Sequence, residues 1–161
     1  MHVKRALLWA CLPAAACGST PGSDCGPSSG VVERVIDGDT IVLTTGEKIR
    51  YLLIDAPETT NGHADCYGSN ASTFNSDLVL QKTVDLTYDT QCTDMYGRLL
   101  AYVSVDGNDV NKLMVERGYA CVLFIAPDGT SRYDEFKAYQ AEAKANLRGV
   151  WGSCDPLPPA C

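Results

Sequence analysis

The feature that most restricts the fold of this chain is a series of three short strand-like segments that precede the first helix. They are rich in β-branched and aliphatic residues and occupy residues 31–36, 40–45 and 47–54. The stretch TTGEK around Gly46 supplies a turn between the last two. Connections this short join antiparallel strands, so the chain opens with hairpins rather than with a strand–helix–strand crossover.

The remainder of the chain alternates between strand-like and helical segments. Strands are predicted at 83–89, 99–107 and 119–125, and helices at 68–81, 109–117 and 131–149. Gly118 and Gly149 end the last two helices. Short strands with helices between hairpins favour a small closed or half-closed barrel, such as an OB-fold, over a parallel sheet.

The length and charge of the chain limit its function. Its 161 residues suffice for one domain with a core, and its net charge is −7. An acidic surface argues against tight, sequence-independent binding to a nucleic acid duplex, which depends on basic patches. It does not exclude an enzyme that contacts a nucleic acid through a few local cations.

The N-terminus has the layout of a secretory signal peptide. Lys4 and Arg5 precede an apolar run that is too short to span a bilayer, and small residues close it. We expect a signal peptide at 1–16, with a possible lipobox that would make Cys17 a lipid anchor. A Gly/Ser/Pro-rich linker at 17–30, a domain at 31–153 and a tail at 154–161 would follow. Export predicts an extracellular, periplasmic or envelope-anchored protein with a net charge of −9.

The cysteine count fits an exported protein. Of the eight cysteines, Cys11 would leave with the signal peptide and Cys17 is the lipid candidate. The remaining six predict up to three disulfides, for which the sequence alone allows 15 pairings. There is no Cys-x-x-Cys pair, and the only histidines are His2 and His63, so any bound metal is expected to have oxygen ligands.

Carboxylates are concentrated where the predicted strands end. Asp37 and Asp39 flank Gly38 between the first two strands, and Asp55 ends the third, with Glu58 shortly after it. If the strand ends meet, Asp39 and Asp55 can bind one hard cation such as calcium or magnesium. The alternative for the stretch IDGDT, taken alone, is an ordinary polar turn.

Two arginines belong to the same region. Arg50 lies on the third strand five residues before Asp55, and Arg98 opens the fifth strand after a Tyr96-Gly97 turn. An arginine among carboxylates can be a structural ion pair, but its planar fork also matches a phosphate. Two arginines, a hard cation and a spare carboxylate are the groups that phosphodiester cleavage requires.

Six short stretches make the chain similar to the thermonuclease (staphylococcal nuclease-like) family. The resemblance runs from about Val31 to Trp151, and six stretches in family order are specific where one would not be. They are IDGDT (36–40), IRYLLIDAPET (49–59), YGSNAS (67–72), MYGRLLAYV (95–103), VNKLMVERGYA (110–120) and LRGVW (147–151).

The resemblance implies an α+β fold, an OB-type five-stranded barrel with three α-helices. It implies calcium (Ca2+) bound by the carboxylates of Asp39 and Asp55 and by the backbone carbonyl of Ala56, with Asp37 as a supporting acid near the metal. The implied activity is calcium-dependent hydrolysis of DNA and RNA, with single strands the expected form and a monomer the expected state.

The family's catalytic residues also have counterparts. Glu58 matches the carboxylate treated as general base, and Arg50 and Arg98 match the two phosphate-binding arginines. Tyr96 is kept as a nucleotide contact. Met95 replaces a lysine of the best-known member, and Phe124 and Ala126 fall near two tyrosines of its nucleotide pocket. These departures affect substrate affinity more than chemistry.

The family fold further implies a set of disulfides and leaves alternatives for the function. It places Cys66 and Cys92 on the active-site side, which suggests a Cys66–Cys92 bond. It also suggests Cys121–Cys154, and Cys25–Cys161 is then left. The alternatives to an enzyme are a nuclease-like module that binds nucleic acid or protein without turnover, and a structural surface lipoprotein with a calcium-stabilised barrel. Binding modules of this fold typically lose the metal carboxylates or arginines, which this chain retains.

Overall fold

A computed structural model describes residues 24–60, 62 and 64–161 of the chain. The proposed signal peptide, Cys17 and both histidines lie outside the described residues. Eight strands and four helices follow one another in that part of the chain. In chain order they are β1 (Ser29–Val35), β2 (Thr40–Leu43), β3 (Lys48–Tyr51), β4 (Ile54–Asp55), α1 (Gly68–Val79), β5 (Thr83–Thr93), β6 (Leu99–Val105), β7 (Asn108–Asp109), α2 (Val110–Glu116), β8 (Cys121–Val122), α3 (Tyr133–Ala145) and α4 (Val150–Ser153).

Five of the strands close into a barrel. The sheet runs β3-β2-β1-β5-β6-β7, and a parallel pairing of β3 with β6 closes the first five of these strands, with β7 as an extension at the edge of β6. The short strands β4 and β8 pair separately. The predicted OB-type five-stranded barrel is therefore confirmed, and the three predicted helices correspond to α1, α2 and α3. The four-residue α4 is an addition that the sequence did not predict.

The barrel interior is filled by side chains from every barrel strand. Along β5 the pattern alternates, with Val84 and Leu86 buried and Asp85 and Thr87 exposed, as a half-buried strand requires. Helix α1 packs against β1, α2 packs against β6 and α3, and Phe136 of α3 is fully buried in the core. None of the helices in the described part of the chain is long and apolar enough to cross a membrane.

The segment before β1 belongs to the folded domain rather than to a free linker. β1 begins at Ser29, and the carbonyl of Ser28 accepts a hydrogen bond from Leu86 at 2.8 Å. The hydroxyl of Tyr88 donates to the carbonyl of Pro27 at 2.8 Å. Residues 25–30 therefore lie along β5. Two residues of β1 precede the predicted domain boundary at Val31. Any flexible tether would consist of residues before Cys25.

All three disulfide pairings expected from the family fold are wrong. The observed bonds are Cys25–Cys92, Cys66–Cys154 and Cys121–Cys161. Because β1 and β5 are antiparallel, with Ser29 opposite Asp85, the chain before β1 runs towards the far end of β5 and meets Cys92 there. Cys66 instead faces the end of α4, and the C-terminal tail turns back to β8. Cys161 therefore fixes the C-terminal tail by a bond to Cys121 and not, as expected, to Cys25.

Candidate functional site

The acidic turn between β1 and β2 is held in shape by its own hydrogen bonds. The backbone N–H of Asp39 donates to Oδ1 of Asp37 at 3.0 Å, and the hydroxyl of Thr40 donates to Oδ1 of Asp39 at 3.0 Å. A Cβ on Gly38 would lie 2.5 Å from the Cβ of Ala56. Glycine is thus needed where the turn packs closely against the segment after β4.

Arg50 connects this turn to the end of β4. Its Nε lies 3.1 Å from Oδ1 of Asp39, and its Nη2 lies 2.6 Å from Oδ1 of Asp55. Its Nη1 donates to the backbone carbonyls of Tyr51 and Ile54 at 2.8 and 2.7 Å. The structure therefore brings both predicted metal carboxylates to one guanidinium group, which is almost fully buried.

The route of the chain explains why Arg50 and Asp55 meet despite an odd spacing. Side chains at odd spacing point to opposite faces of a regular strand. Here β3 ends at Tyr51 and β4 begins at Ile54, and between them Leu53 has a φ of 63°. The bend turns Asp55 back to the rim that carries Arg50.

Ala56 lies within the same cluster. Its backbone N–H donates to Oδ2 of Asp39 at 2.7 Å, so the peptide after Asp55 is fixed against the acidic turn. Both oxygens of Asp39 then have polar partners, and the carboxylate cannot rotate freely. The two strand ends therefore do meet, which was the condition for a shared site of Asp39 and Asp55, and this bond and Arg50 join them.

The cluster carries more negative than positive charge. Burial, followed by the charge of Asp39 and then of Glu58, raises the pKa of Asp37 to about 7. Burial also raises the pKa of Asp55 to about 6, against the influence of Arg50 and with the help of Asp39 and Glu58. One guanidinium group is therefore insufficient to neutralise these carboxylates at neutral pH.

These groups fit a hard divalent cation. Within residues 24–60, 62 and 64–161, no three His, Cys, Asp or Glu side chains form a metal-binding group by themselves. Calcium does not need three, because carbonyl oxygens and waters complete its shell of about six to eight oxygens. Asp39 and Asp55 can supply carboxylates, Ala56 can supply a carbonyl, and the excess negative charge favours a cation at this place.

Glu58 lies at the solvent side of the cluster. Its side chain is exposed, and its Oε2 accepts a hydrogen bond from the hydroxyl of Thr60 at 2.9 Å. Its backbone is linked to Asp65, whose N–H donates to the carbonyl of Glu58 at 3.0 Å and whose Oδ2 accepts from the N–H of Glu58 at 3.1 Å. Its charge contributes to the raised pKa values of Asp37 and Asp55.

Arg98 is held by an acid in its own turn. Its Nε lies 2.7 Å from Oδ2 of Asp94, and its backbone N–H donates to Oδ1 of Asp94 at 3.0 Å. The backbone N–H of Tyr96 donates to the same oxygen at 2.9 Å. Partial burial opposes the ionisation of Asp94, but these hydrogen bonds outweigh it and lower its pKa. Asp94 therefore orients both predicted substrate contacts, a role that the sequence analysis missed.

A cleft of about 600 Å³ collects part of the predicted site. Arg50, Asp55, Tyr96 and Arg98 line it, whereas Asp37, Asp39, Ala56 and Glu58 are not among its lining residues. The two arginines thus share one cavity, although they come from strands far apart in the sequence. The parallel pairing of β3 with β6, in which Arg50 is opposite Leu100, is what brings them together.

The rim of the cleft is apolar and highly exposed. Met95, Tyr96 and Ile125 all line the cleft, and they are 88%, 76% and 63% exposed. Leu123 and Ile125 line the cleft, while Phe124 instead packs on Tyr133 with ring centroids 4.7 Å apart. Phe124 and Ala126, which fall near two tyrosines of the family's nucleotide pocket, are therefore not among the residues that line this cleft. Alternation after β8 is the signal from which the lining by Leu123 and Ile125 could have been predicted.

Several known proteins are similar in sequence to most of this chain. The sequence profile of the family described as "Staphylococcal nuclease homologue" matches residues 48–153. "Endonuclease YncB" of Bacillus subtilis (strain 168) is 40% identical over 126 residues, which cover 74% of this chain and 60% of that protein. "SPbeta prophage-derived endonuclease YokF" of the same organism is also 40% identical over 126 residues, with 74% and 43% covered.

A third relative is similar in length to this chain. "Thermonuclease" of Staphylococcus intermedius is 35% identical over 126 residues, which cover 75% of this chain and 74% of that protein. By contrast, the chain spans about half the length of the two endonucleases from Bacillus subtilis. The matched region of the family profile contains Arg50, Asp55, Glu58 and Arg98, and it begins after the turn that carries Asp39.

Proposed function

Because this chain belongs to the staphylococcal nuclease homologue family, we propose that it is a nuclease that hydrolyses phosphodiester bonds. The substrates that fit the proposal are DNA and RNA, with little sequence preference and with single strands favoured. The observation that carries the proposal is the sharing of one cleft by Arg50, Arg98 and Asp55, beside the Asp39 carboxylate that Arg50 also contacts.

The proposed cofactor is calcium. Asp39, Asp55 and the carbonyl of Ala56 are the residues that would hold it, and Asp37 would support the site through its bond to the backbone of Asp39. Bound calcium would supply positive charge next to the oxygens of the phosphate under attack. The uncompensated carboxylate charge around Asp37 and Asp55 is the observation that favours a divalent cation here.

The remaining chemistry belongs to three side chains. Arg50 and Arg98 would donate hydrogen bonds to non-bridging phosphate oxygens and neutralise charge that grows in the transition state. Glu58, which is exposed to water, would accept a proton from the attacking water molecule. Tyr96 and the apolar residues at the rim would contact the adjacent nucleotide, since every base offers an apolar face whatever its sequence.

We also propose that the protein is exported. The support is the N-terminal sequence together with three disulfides among the described residues, a pattern typical of oxidising compartments. Cys17 would tether the protein to a membrane if it is lipidated. The proposed state in solution is a monomer.

The experiment uses the oxidised mature protein and single-stranded DNA at low salt. Wild type in calcium should cleave, whereas excess EGTA should abolish cleavage. The Glu58→Gln/Arg98→Ala double variant in calcium should lose at least about a thousand-fold in rate. Arg34→Ala, which removes an exposed cation from β1, is the matched control and should keep full activity. Binding of DNA by folded wild type without any cleavage would overturn the proposal in favour of a binding module.

A further inference from the structure

Two hydrogen bonds between the backbone of Glu58 and Asp65 hold the loop that carries Glu58. Asp65 donates its N–H to the carbonyl of Glu58, and its carboxylate accepts the N–H of Glu58. The carbonyl of Asp65 also accepts a hydrogen bond from the N–H of Gly68, the first residue of α1, at 3.0 Å. We call Glu58, Asp65 and these contacts the clasp.

The first residue of α1 also packs closely against the clasp. A Cβ on Gly68 would lie 2.7 Å from the carbonyl oxygen of Glu58 and 2.8 Å from Cγ2 of Thr59. Only a glycine allows so close an approach. The backbone of Glu58 is therefore confined between Asp65 and the first turn of α1.

A disulfide connects the clasp to a rigid part of the molecule. Cys66, the residue after Asp65, is bonded to Cys154, which ends α4. The helix α4 is in turn fixed to the end of α2, because the N–H of Val150 donates to the carbonyl of Gly118 at 2.9 Å. At Gly149 a Cβ would lie only 2.0 Å from that same carbonyl oxygen, so the two backbones are in direct contact.

The Glu58 carboxylate is exposed and carries the same charge as the acidic groups of the site, since it contributes to the raised pKa values of Asp37 and Asp55. Like charges favour any loop movement that separates them. A general base that drifts by about 1 Å loses a large part of its effect on the rate.

We propose that Asp65 and the Cys66–Cys154 disulfide are positioning groups that hold Glu58 in reach of the scissile phosphate. The inference rests on the proposed nuclease function. It assigns no contact with the substrate to either group. It makes the disulfide part of the catalytic geometry, in addition to its contribution to stability.

The test compares four variants at a temperature where circular dichroism shows each to be folded. Asp65→Ala removes the acceptor for the Glu58 N–H, whereas Asp65→Asn keeps an oxygen there. Cys66→Ser/Cys154→Ser removes the disulfide, and Cys121→Ala/Cys161→Ser removes another disulfide as the matched control. The measurements are kcat and KM on single-stranded DNA, and amide hydrogen exchange at Glu58 in metal-free protein.

The expected result separates positioning from stability. Asp65→Ala and the Cys66/Cys154 variant should each lower kcat about ten-fold with KM within two-fold of wild type, and both should speed exchange at Glu58. Asp65→Asn and the Cys121/Cys161 variant should leave kcat within about two-fold.

Unchanged kcat and unchanged Glu58 exchange in the folded Cys66/Cys154 variant would overturn the role of the disulfide. Equal loss of kcat in both disulfide variants would also overturn it, because stability alone would then explain the effect. If wild type does not cleave at all, the proposed function fails, and exchange at Glu58 alone decides whether the clasp exists.

Discussion

The two arginines of the cleft are held in different ways, although we propose the same contact with phosphate for both. Arg50 has an 11% exposed side chain and is fixed between Asp39 and Asp55, which belong to separate strand ends. Arg98 has a 29% exposed side chain and is held by Asp94, an acid in its own turn. Arg50 therefore joins distant parts of the fold, whereas Arg98 is anchored locally and reaches out.

The difference teaches that two residues with the same proposed role in a reaction can contribute unequally to stability. A buried charge that loses its partners destabilises a protein strongly, while a half-exposed ion pair contributes little. Arg50 should matter for both folding and activity. Arg98 should matter for activity almost alone.

Arg50→Ala should give the largest effect on stability. Without calcium it leaves Asp39 and Asp55 with no cation between them, and the free energy of unfolding should fall by about 3–5 kcal/mol. Calcium should restore a large part of the loss, because it would neutralise the same carboxylates. Urea unfolding in EGTA and in calcium measures both values. A variant as stable as wild type in EGTA would show that Arg50 is not the internal counter-ion.

Arg98→Ala should instead separate activity from stability. The transition state should lose about 3–4 kcal/mol of stabilisation, which is roughly a hundred- to thousand-fold in rate. The free energy of unfolding should change by less than about 1 kcal/mol, since the pair with Asp94 is partly solvated. Steady-state kinetics beside thermal unfolding tests this. Comparable losses of stability in the two arginine variants would remove the contrast between them.

Asp37→Asn should stabilise the metal-free protein at alkaline pH. The pKa of Asp37 is about 7 in the folded chain and about 3.8 in the unfolded chain. Its contribution to stability is therefore full below about pH 4 and is lost as the pH rises to about 7. The amide still accepts the N–H of Asp39 and carries no charge, so unfolding at pH 8 should need about 1–3 kcal/mol more than wild type. At pH 4 the two proteins should be equal within error.

Met95→Lys should give the smallest effect, a change in substrate affinity at the exposed rim of the cleft. It adds one cation to the rim, so KM should fall a few-fold at low salt while kcat stays the same. The slope of log affinity against log salt should steepen by about 0.7 for single-stranded DNA. Met95→Gln is the uncharged control. A change in kcat would mean that the rim takes part in the chemistry.

The sequence predicted the fold and most of the cluster because those signals are local. Hairpin turns, β-branched segments and Gly118 act within a few residues, so the succession of strands and helices along the chain followed from them. Asp39, Arg50 and Asp55 come together because two strand ends meet, as the pattern indicated.

The features that were not predicted depend on which distant segments of the chain become neighbours in the fold. Cys25 meets Cys92 because β1 and β5 are antiparallel neighbours, and no local pattern encodes that pairing. The clasp between Glu58 and Asp65 requires the exact course of a loop. Asp94 was within reach of prediction, since an acid four residues before an arginine across a turn is a common ion pair.

The position of the Arg50 guanidinium also bears on whether the protein folds before or after it binds a metal ion. Many small metal proteins remain unfolded until their ion arrives, because the ligands repel one another without it. Here a side chain of the protein itself occupies the space between Asp39 and Asp55. If calcium is the cofactor, as we propose, the chain would fold where the ion is scarce and bind it afterwards. Folding and activation would then be two separate steps, and the second would depend on the calcium concentration around the folded protein.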